Sequence, residues 1–138
     1  MGGFAGLDGL ATVEAYNPRT NTWRSCLPLS QRRCGAVAGV VGGRLVVAGG
    51  GGGVGGLLTS VEAYTPTGWT PFPPLPHAAC DATACVLNGR LYVMGGDAAG
   101  DKLQVLEMSE ENEFTWTVKA ELPLVPWNAR YDLSLIHI

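Results

Sequence analysis

The chain has 138 residues, 46% of them hydrophobic and 15% charged, with a net charge of −3. That length allows one domain or part of one, and the apolar share suffices for a packed core while the charged share is too low for a disordered tail or a coiled coil. No basic footprint for nucleic acid is present, and the uncharged run from Leu45 to Val61 is broken by glycines before it could span a bilayer.

Taken in chain order, Met1-Gly2-Gly3 comes first, and Val13 to Tyr16 reads as a strand. Asn17-Pro18-Arg19-Thr20-Asn21 suits a tight reversal before a short strand through Trp23. Gly35 to Val41 and Arg44 to Ala48 are apolar runs joined by Gly42-Gly43, which predicts a hairpin ended by Gly49-Gly50. Beyond a glycine-rich loop, Ser60 to Tyr64, the turn Thr65-Pro66-Thr67-Gly68 and a strand through Trp69 follow. Ala82 to Leu87, Asn88-Gly89 and Arg90 to Met94 repeat the hairpin. Asn-Gly is the stronger turn signal, because both residues tolerate the positive φ of a type I′ turn.

The same landmarks recur three times in one order. Doublets Gly2-Gly3, Gly49-Gly50 and Gly95-Gly96 precede the tetrads Val13-Glu14-Ala15-Tyr16, Val61-Glu62-Ala63-Tyr64 and Val105-Leu106-Glu107-Met108. Trp23, Trp69 and Trp116 follow, and Leu27-Pro28, Leu75-Pro76 and Leu122-Pro123 close the units. Gly2 to Gly49, Trp69 to Trp116 and Leu75 to Leu122 each span about 47 residues, a period in the range of propeller blades. The expected fold is all-β, each unit a four-stranded antiparallel sheet without a helix. A lone small sheet cannot hide its apolar faces, so the sheets must stack. Tyr16, Tyr64, Trp23, Trp69 and Trp116 are then expected as wedges between neighbouring sheets.

The order hairpin, Gly-Gly, loop, Val-Glu-Ala-Tyr-Asn-Pro-x-Thr-Asn-Thr-Trp, Leu-Pro resembles the kelch repeat, and the stretch Val13 to Trp23 is close to its consensus. The resemblance covers the chain to about Arg130 and implies a fragment of a β-propeller. It divides the chain into the second half of a blade (1–28), complete blades at 29–76 and 77–123, and a linker into a further blade (124–132). Leu133 to Ile138 fits no strand of the repeat. It matches the translation of a transposon adapter used in sequencing libraries, and it is read as a non-native tail. In the third unit Met108 stands where Tyr is usual, and Glu110 to Phe114 lengthens a turn; weaker outer packing is expected there.

Cys26, Cys34, Cys80 and Cys85 form no Cys-x-x-Cys pair and no zinc spacing, and are read as reduced thiols of an intracellular protein, cytoplasmic or nuclear. With His137 in the suspected tail, His77 is left, and a single His in a Pro-rich linker reads as a solvated loop residue. Gly51, Gly53 and Gly56 spell Gly-x-Gly-x-x-Gly, but a strand rather than a helix follows, so no dinucleotide site is expected. Asp97 to Asp101 falls short of a calcium loop. No metal, cofactor or catalytic residue is expected.

In a propeller the strands are committed to packing, and function sits on the loops at the channel mouths. The resemblance implies an arginine sixteen residues before a Gly-Gly doublet, placed to fork onto acidic groups of a bound protein. Arg33 stands there before Gly49, Ala79 before Gly95, and Arg130 is the counterpart in the next linker. The alternative for Arg33 and Arg130 is a solvated linker residue; Arg44 and Arg90, after hairpin turns, are expected to face solvent. The expected role is a protein-interaction module without enzymatic activity and without nucleic-acid or membrane partners. It would present a protein to a cullin-type ubiquitin ligase through domains outside the chain. The alternatives are a fragment of a kelch-fold enzyme (an epimerase, oxidase or specifier protein) or of an actin-associated scaffold.

Overall fold

The computed structural model describes residues 1–5, 8–52, 56–97, 99 and 102–121. Among them every regular element is a strand, and no helix is long and apolar enough to cross a membrane. β1 (Phe4–Ala5) and β2 (Asp8–Gly9) make a small antiparallel pair, and β3 (Val13–Asn17) pairs with β4 (Thr22–Cys26). β5 (Val37–Val41), β6 (Arg44–Ala48), β7 (Val61–Thr65) and β8 (Gly68–Phe72) form one four-stranded antiparallel sheet in that order. β9 (Thr83–Leu87), β10 (Arg90–Met94), β11 (Lys102–Met108) and β12 (Phe114–Glu121) form a second with the same order.

Both predicted hairpin turns have positive φ at their two central residues: 55° and 73° at Gly42-Gly43, and 49° and 73° at Asn88-Gly89. That is the type I′ signature.

The doublets are tighter than turn chemistry alone requires. Gly50 donates its N–H to the Ala79 carbonyl at 2.7 Å, and Gly3 donates to the Arg33 carbonyl at 2.8 Å, so each doublet is tied to the linker of the next unit. A Cβ at Gly49 would run into the Ala79 carbonyl and one at Gly2 into the Arg33 carbonyl. A Cβ at Gly50 would stand 2.6 Å from the Cys34 carbonyl, and one at Gly96 2.6 Å from that of Cys80. Gly49-Gly50 therefore sits between two backbone carbonyls, where only glycine fits.

The core lies between sheets. Val13, Leu29 and Val47, with Cys26 and Trp69 packed against them, join the first unit to the second. Val41, Val46, Ala63, Leu75, Leu91 and Leu106, with Phe72, Phe114 and Trp116, join the second to the third. Trp69 and Trp116 are wedges as expected: their indole N–H groups donate to the carbonyls of Leu27 (2.9 Å) and Pro73 (2.8 Å) in the preceding unit. Tyr64 is half-buried and packs edge-on against Trp69, ring centroids 5.3 Å apart. Tyr16 and Trp23 depart from the expectation. They pack on each other at 5.1 Å but stay 46% and 66% exposed, because no described sheet lies against that face.

Register corrects two further expectations. Opposite Ala48, Val47 and Val46 lie Val61, Glu62 and Ala63; opposite Met94, Val93 and Tyr92 lie Leu103, Gln104 and Val105. The third tetrad is therefore Leu103-Gln104-Val105-Leu106, two residues earlier than the Val and Glu identities suggested. Leu106, facing Trp116 and fully buried, takes the place of Tyr64. The longer turn is Ser109 to Glu113, between longer strands. Likewise a buried leucine six positions after the Trp closes a unit: Leu75 of the Leu75-Pro76 pair does so as expected, but in the first unit the place falls to Leu29, and Leu27 of the Leu27-Pro28 pair is 47% exposed. Leu29 and Leu75 donate equivalent backbone bonds to Ala11 and Thr59. Leu122-Pro123, the linker 124–132 and the tail 133–138 lie outside the described residues. Arg44 and Arg90 are exposed, Arg44 over the Phe114 ring at 5.6 Å and Arg90 paired with Glu107 at 2.8 Å.

Candidate partner-binding site

In an antiparallel meander the second strand ends where the third begins, at the same end where the first begins and the fourth ends. The linkers 27–36 and 73–82 and the loops after the glycine doublets therefore gather at one end of the sheets. Isolated bridges lace them together: Leu10 with Arg33, Cys34 with Gly51, Gly51 with Leu57, and Cys80 with Asp97. Gly51 thus opens a bridged loop leading into β7, as its strand-like context implied; Gly53 lies outside the described residues.

Arg33 was expected to reach out from this mouth, free for a partner or solvated. It does neither, being fully buried. Its Nε and Nη2 donate to Glu62 Oε1 at 3.1 and 2.9 Å, Nη1 donates to the carbonyls of Gly49 and Ser60 at 2.8 Å each, and Nη2 also donates to Ser60 Oγ at 2.9 Å. A guanidinium has five N–H donors, and all are engaged within the chain. Arg33 is a fastener tying the linker to β7 and to the glycine doublet, and its side chain has nothing left to offer a partner. Arg130 lies outside the described residues.

Glu62 completes the fastener. It is buried on β7, and its Oε2 accepts the Ser30 N–H at 2.8 Å. Burial pushes this carboxyl up, but the Ser30 bonds and the Arg33 guanidinium outweigh it and hold the group below the ordinary glutamate range. Sequence reasoning passed over Glu62 as one letter of the tetrad. A signal was present, because Arg33 and Glu62 in one unit become Ala79 and Gln104 in the next. Without the arginine, a neutral amide occupies the carboxylate's place. Gln104 Oε1 accepts the His77 N–H at 2.8 Å, one residue on from the Ser30 position because Pro76 has no N–H to give. Gln104 Nε2 has no partner among the described residues.

Beneath the mouth sit two thiols. Cys34 and Cys80 are buried; Cys34 Sγ donates to the Gly51 carbonyl at 3.3 Å, and Cys80 Sγ lies 3.6 Å from the Cys34 carbonyl. Burial, then the charges of Asp81, Cys34 and Asp97, push the Cys80 thiol up to about 11, so it stays protonated near neutral pH. All four cysteines are free. Among the described residues no group of three His, Cys, Asp or Glu side chains is placed to hold a metal ion.

Gln31, Leu57, Thr59, Pro76, His77, Asp81 and Asp97 are exposed on this end. They differ between units: Gln31 against His77, and Gly35 against Asp81, whose φ of 53° matches the glycine's 59°. The mouth is built from an invariant clamp of glycines and carbonyls and a variable exposed rim.

Among known families the Kelch motif matches residues 1–29, 32–76 and 78–108. A solved structure titled "Structure of YjhT" superposes with a TM-score of 0.75 at 16% identity, over 86% of this chain and 45% of that one. At that identity the likeness shows the fold alone, and the chain spans less than half the length of that neighbour. With the motif matched over most of its length, four-stranded antiparallel sheets stacked through tryptophan wedges and no helix among the described residues, the chain belongs to the Kelch-motif family and folds as blades of a kelch β-propeller.

Proposed function

We propose that this chain is a protein-binding module whose partner docks on the mouth where the linkers and glycine loops meet. The supporting observation is the division of labour there. Repeated residues (Gly49, Gly50, Trp69, Trp116) are consumed by packing, while the exposed rim of Leu57, Thr59, Pro76, His77, Asp81 and Asp97 changes from unit to unit. An exposed apolar residue, Leu57, among polar neighbours suits the centre of a protein contact. Within that reading, delivery of the bound protein to a cullin-type ubiquitin ligase is the role that kelch adaptors suggest. It rests on domains outside this chain.

A photo-crosslinking side chain placed at Leu57 or His77 tests the site against the same group at Arg19 or Val40, on exposed positions elsewhere. The expected result is one discrete protein adduct from the two mouth positions and none from the controls. Equal labelling from all four positions would remove the mouth from consideration.

A further inference from the structure

Of the chain's five asparagines, Asn88 alone is followed by glycine. The pair makes the two-residue turn between β9 and β10, at the end of the sheets away from the mouth, with φ of 49° and 73°. In such a turn the closing hydrogen bond joins the flanking residues, here Leu87 and Arg90, so the Gly89 N–H has no place in the ladder. A Cβ at Gly89 would meet nothing within 4 Å. The same holds at Gly43, which takes that place in the second blade with a sheet on either side, so the room belongs to the turn itself. Gly42, Gly43, Asn88 and Gly89 are all exposed, and Gly42-Gly43 makes the turn without any amide side chain.

We infer that Asn88-Gly89 is a self-modifying site, at which the folded chain converts its own asparagine to aspartate and isoaspartate with water as the only co-reactant. The Gly89 nitrogen attacks the Asn88 Cγ. A C–N bond forms, the Cγ–Nδ2 bond breaks, and ammonia leaves with the proton shed by Gly89, closing a cyclic imide. Water then opens the imide at either carbonyl, giving an aspartate in the ordinary chain or an isoaspartate whose backbone runs through the side-chain carbon. Pro18, Thr22, Glu113 and Ala129 follow the other asparagines, and each carries beside the nitrogen a Cβ that glycine lacks; Pro18 also has no N–H. The two products act differently on the fold. Aspartate keeps the turn, since the chain already holds Asp81 at φ 53°. Isoaspartate adds a methylene to a loop whose length sets the register of Arg90 with Leu87 and of Leu91 with Val86. Leu91 is fully buried between the second and third blades, so the isoaspartyl form loosens that core.

The experiment ages the full chain at physiological temperature over a series of mildly alkaline pH values. Peptides are mapped by mass spectrometry, and isoaspartate is detected by enzymatic methyl transfer from S-adenosylmethionine. Product should accumulate at residue 88 ahead of every other asparagine, and faster at higher pH because the attacking nitrogen must shed its proton. Asn88→Gly, which copies the Gly42-Gly43 turn, should yield none there. Both products gain a negative charge and separate from the parent by anion exchange. The isoaspartyl fraction should melt below fresh protein, while Asn88→Asp, standing for the aspartyl product, melts with it. An Asn88 that survives while other asparagines convert overturns the inference, as does conversion seen only in urea, where the turn is gone. An isoaspartyl fraction melting with fresh protein overturns the claim on the hairpin.

Discussion

Removing the buried arginine should cost more than removing both members of its pair. Arg33→Ala leaves the Glu62 carboxylate buried with only its Ser30 bonds, and leaves the Gly49 carbonyl without its guanidinium donor. The Ser60 carbonyl keeps the Gly49 N–H at 3.1 Å. Stranding one charge of a buried pair costs about 3–5 kcal/mol. The third blade shows the compensated version, Ala79 with Gln104. Adding Glu62→Gln to Arg33→Ala should therefore bring the loss down to about 1–2 kcal/mol, the desolvation of the orphaned carbonyl. In thermal terms the single variant should melt more than about 10 °C lower and the double variant should regain over half of that. Urea unfolding followed by tryptophan fluorescence measures both. A double variant no more stable than Arg33→Ala would refute the reasoning, because the cost would then lie in lost packing rather than in the stranded charge.

The same pair sets an acid limit. Glu62 titrates below the 4.5 of an unperturbed glutamate, so its contribution is complete above about pH 4.5 and is lost as pH falls through its lower folded value; Glu62→Gln should flatten that acid decline in a urea series against pH. Cys80 works in the opposite direction. With its folded value raised from 9.0 to about 11, stability should fall as pH rises through that interval, and Cys80→Ala should remove that part of the alkaline decline. Gly49→Ala should cost about 2–4 kcal/mol, from positive φ and collision with the Ala79 carbonyl. Gly43→Asn, at a turn with open space around it, should stay within about 0.5 kcal/mol by the same melt. Trp116→Phe should lose about 1 kcal/mol with the bond to Pro73, measurable by urea midpoint.

Much of the fold was legible because local chemistry and global packing agree here. Asn88-Gly89 can make a type I′ turn and does, and Trp69 and Trp116 recur because each must reach the blade before it. The third tetrad was misplaced because Val105 and Glu107 imitate its letters. Register is set instead by pairing across β10, with an irregularity between Leu103 and Gln104 that no residue type announces. Arg33 was misread for a related reason. A linker arginine looks solvated until Glu62, 29 residues away, is brought to it. Only comparison between units, Arg with Glu and Ala with Gln, carries that information in the sequence. The rim residues are legible as variable but not as a site, since their proximity depends on the antiparallel meander.

Residue-resolved hydrogen exchange tests most directly the claim that repeated residues clamp blade to blade while the rim stays free. The Gly50 and Gly3 amides, which bond across to Ala79 and Arg33, should be protected together with β6 and β10 as one cooperative unit, while the amide of exposed Thr59, whose carbonyl rather than N–H is bonded, shows little protection and that of His77 little beyond its single bond to Gln104. Gly50 exchanging like an unbonded loop amide, or the second and third blades opening independently, would contradict it.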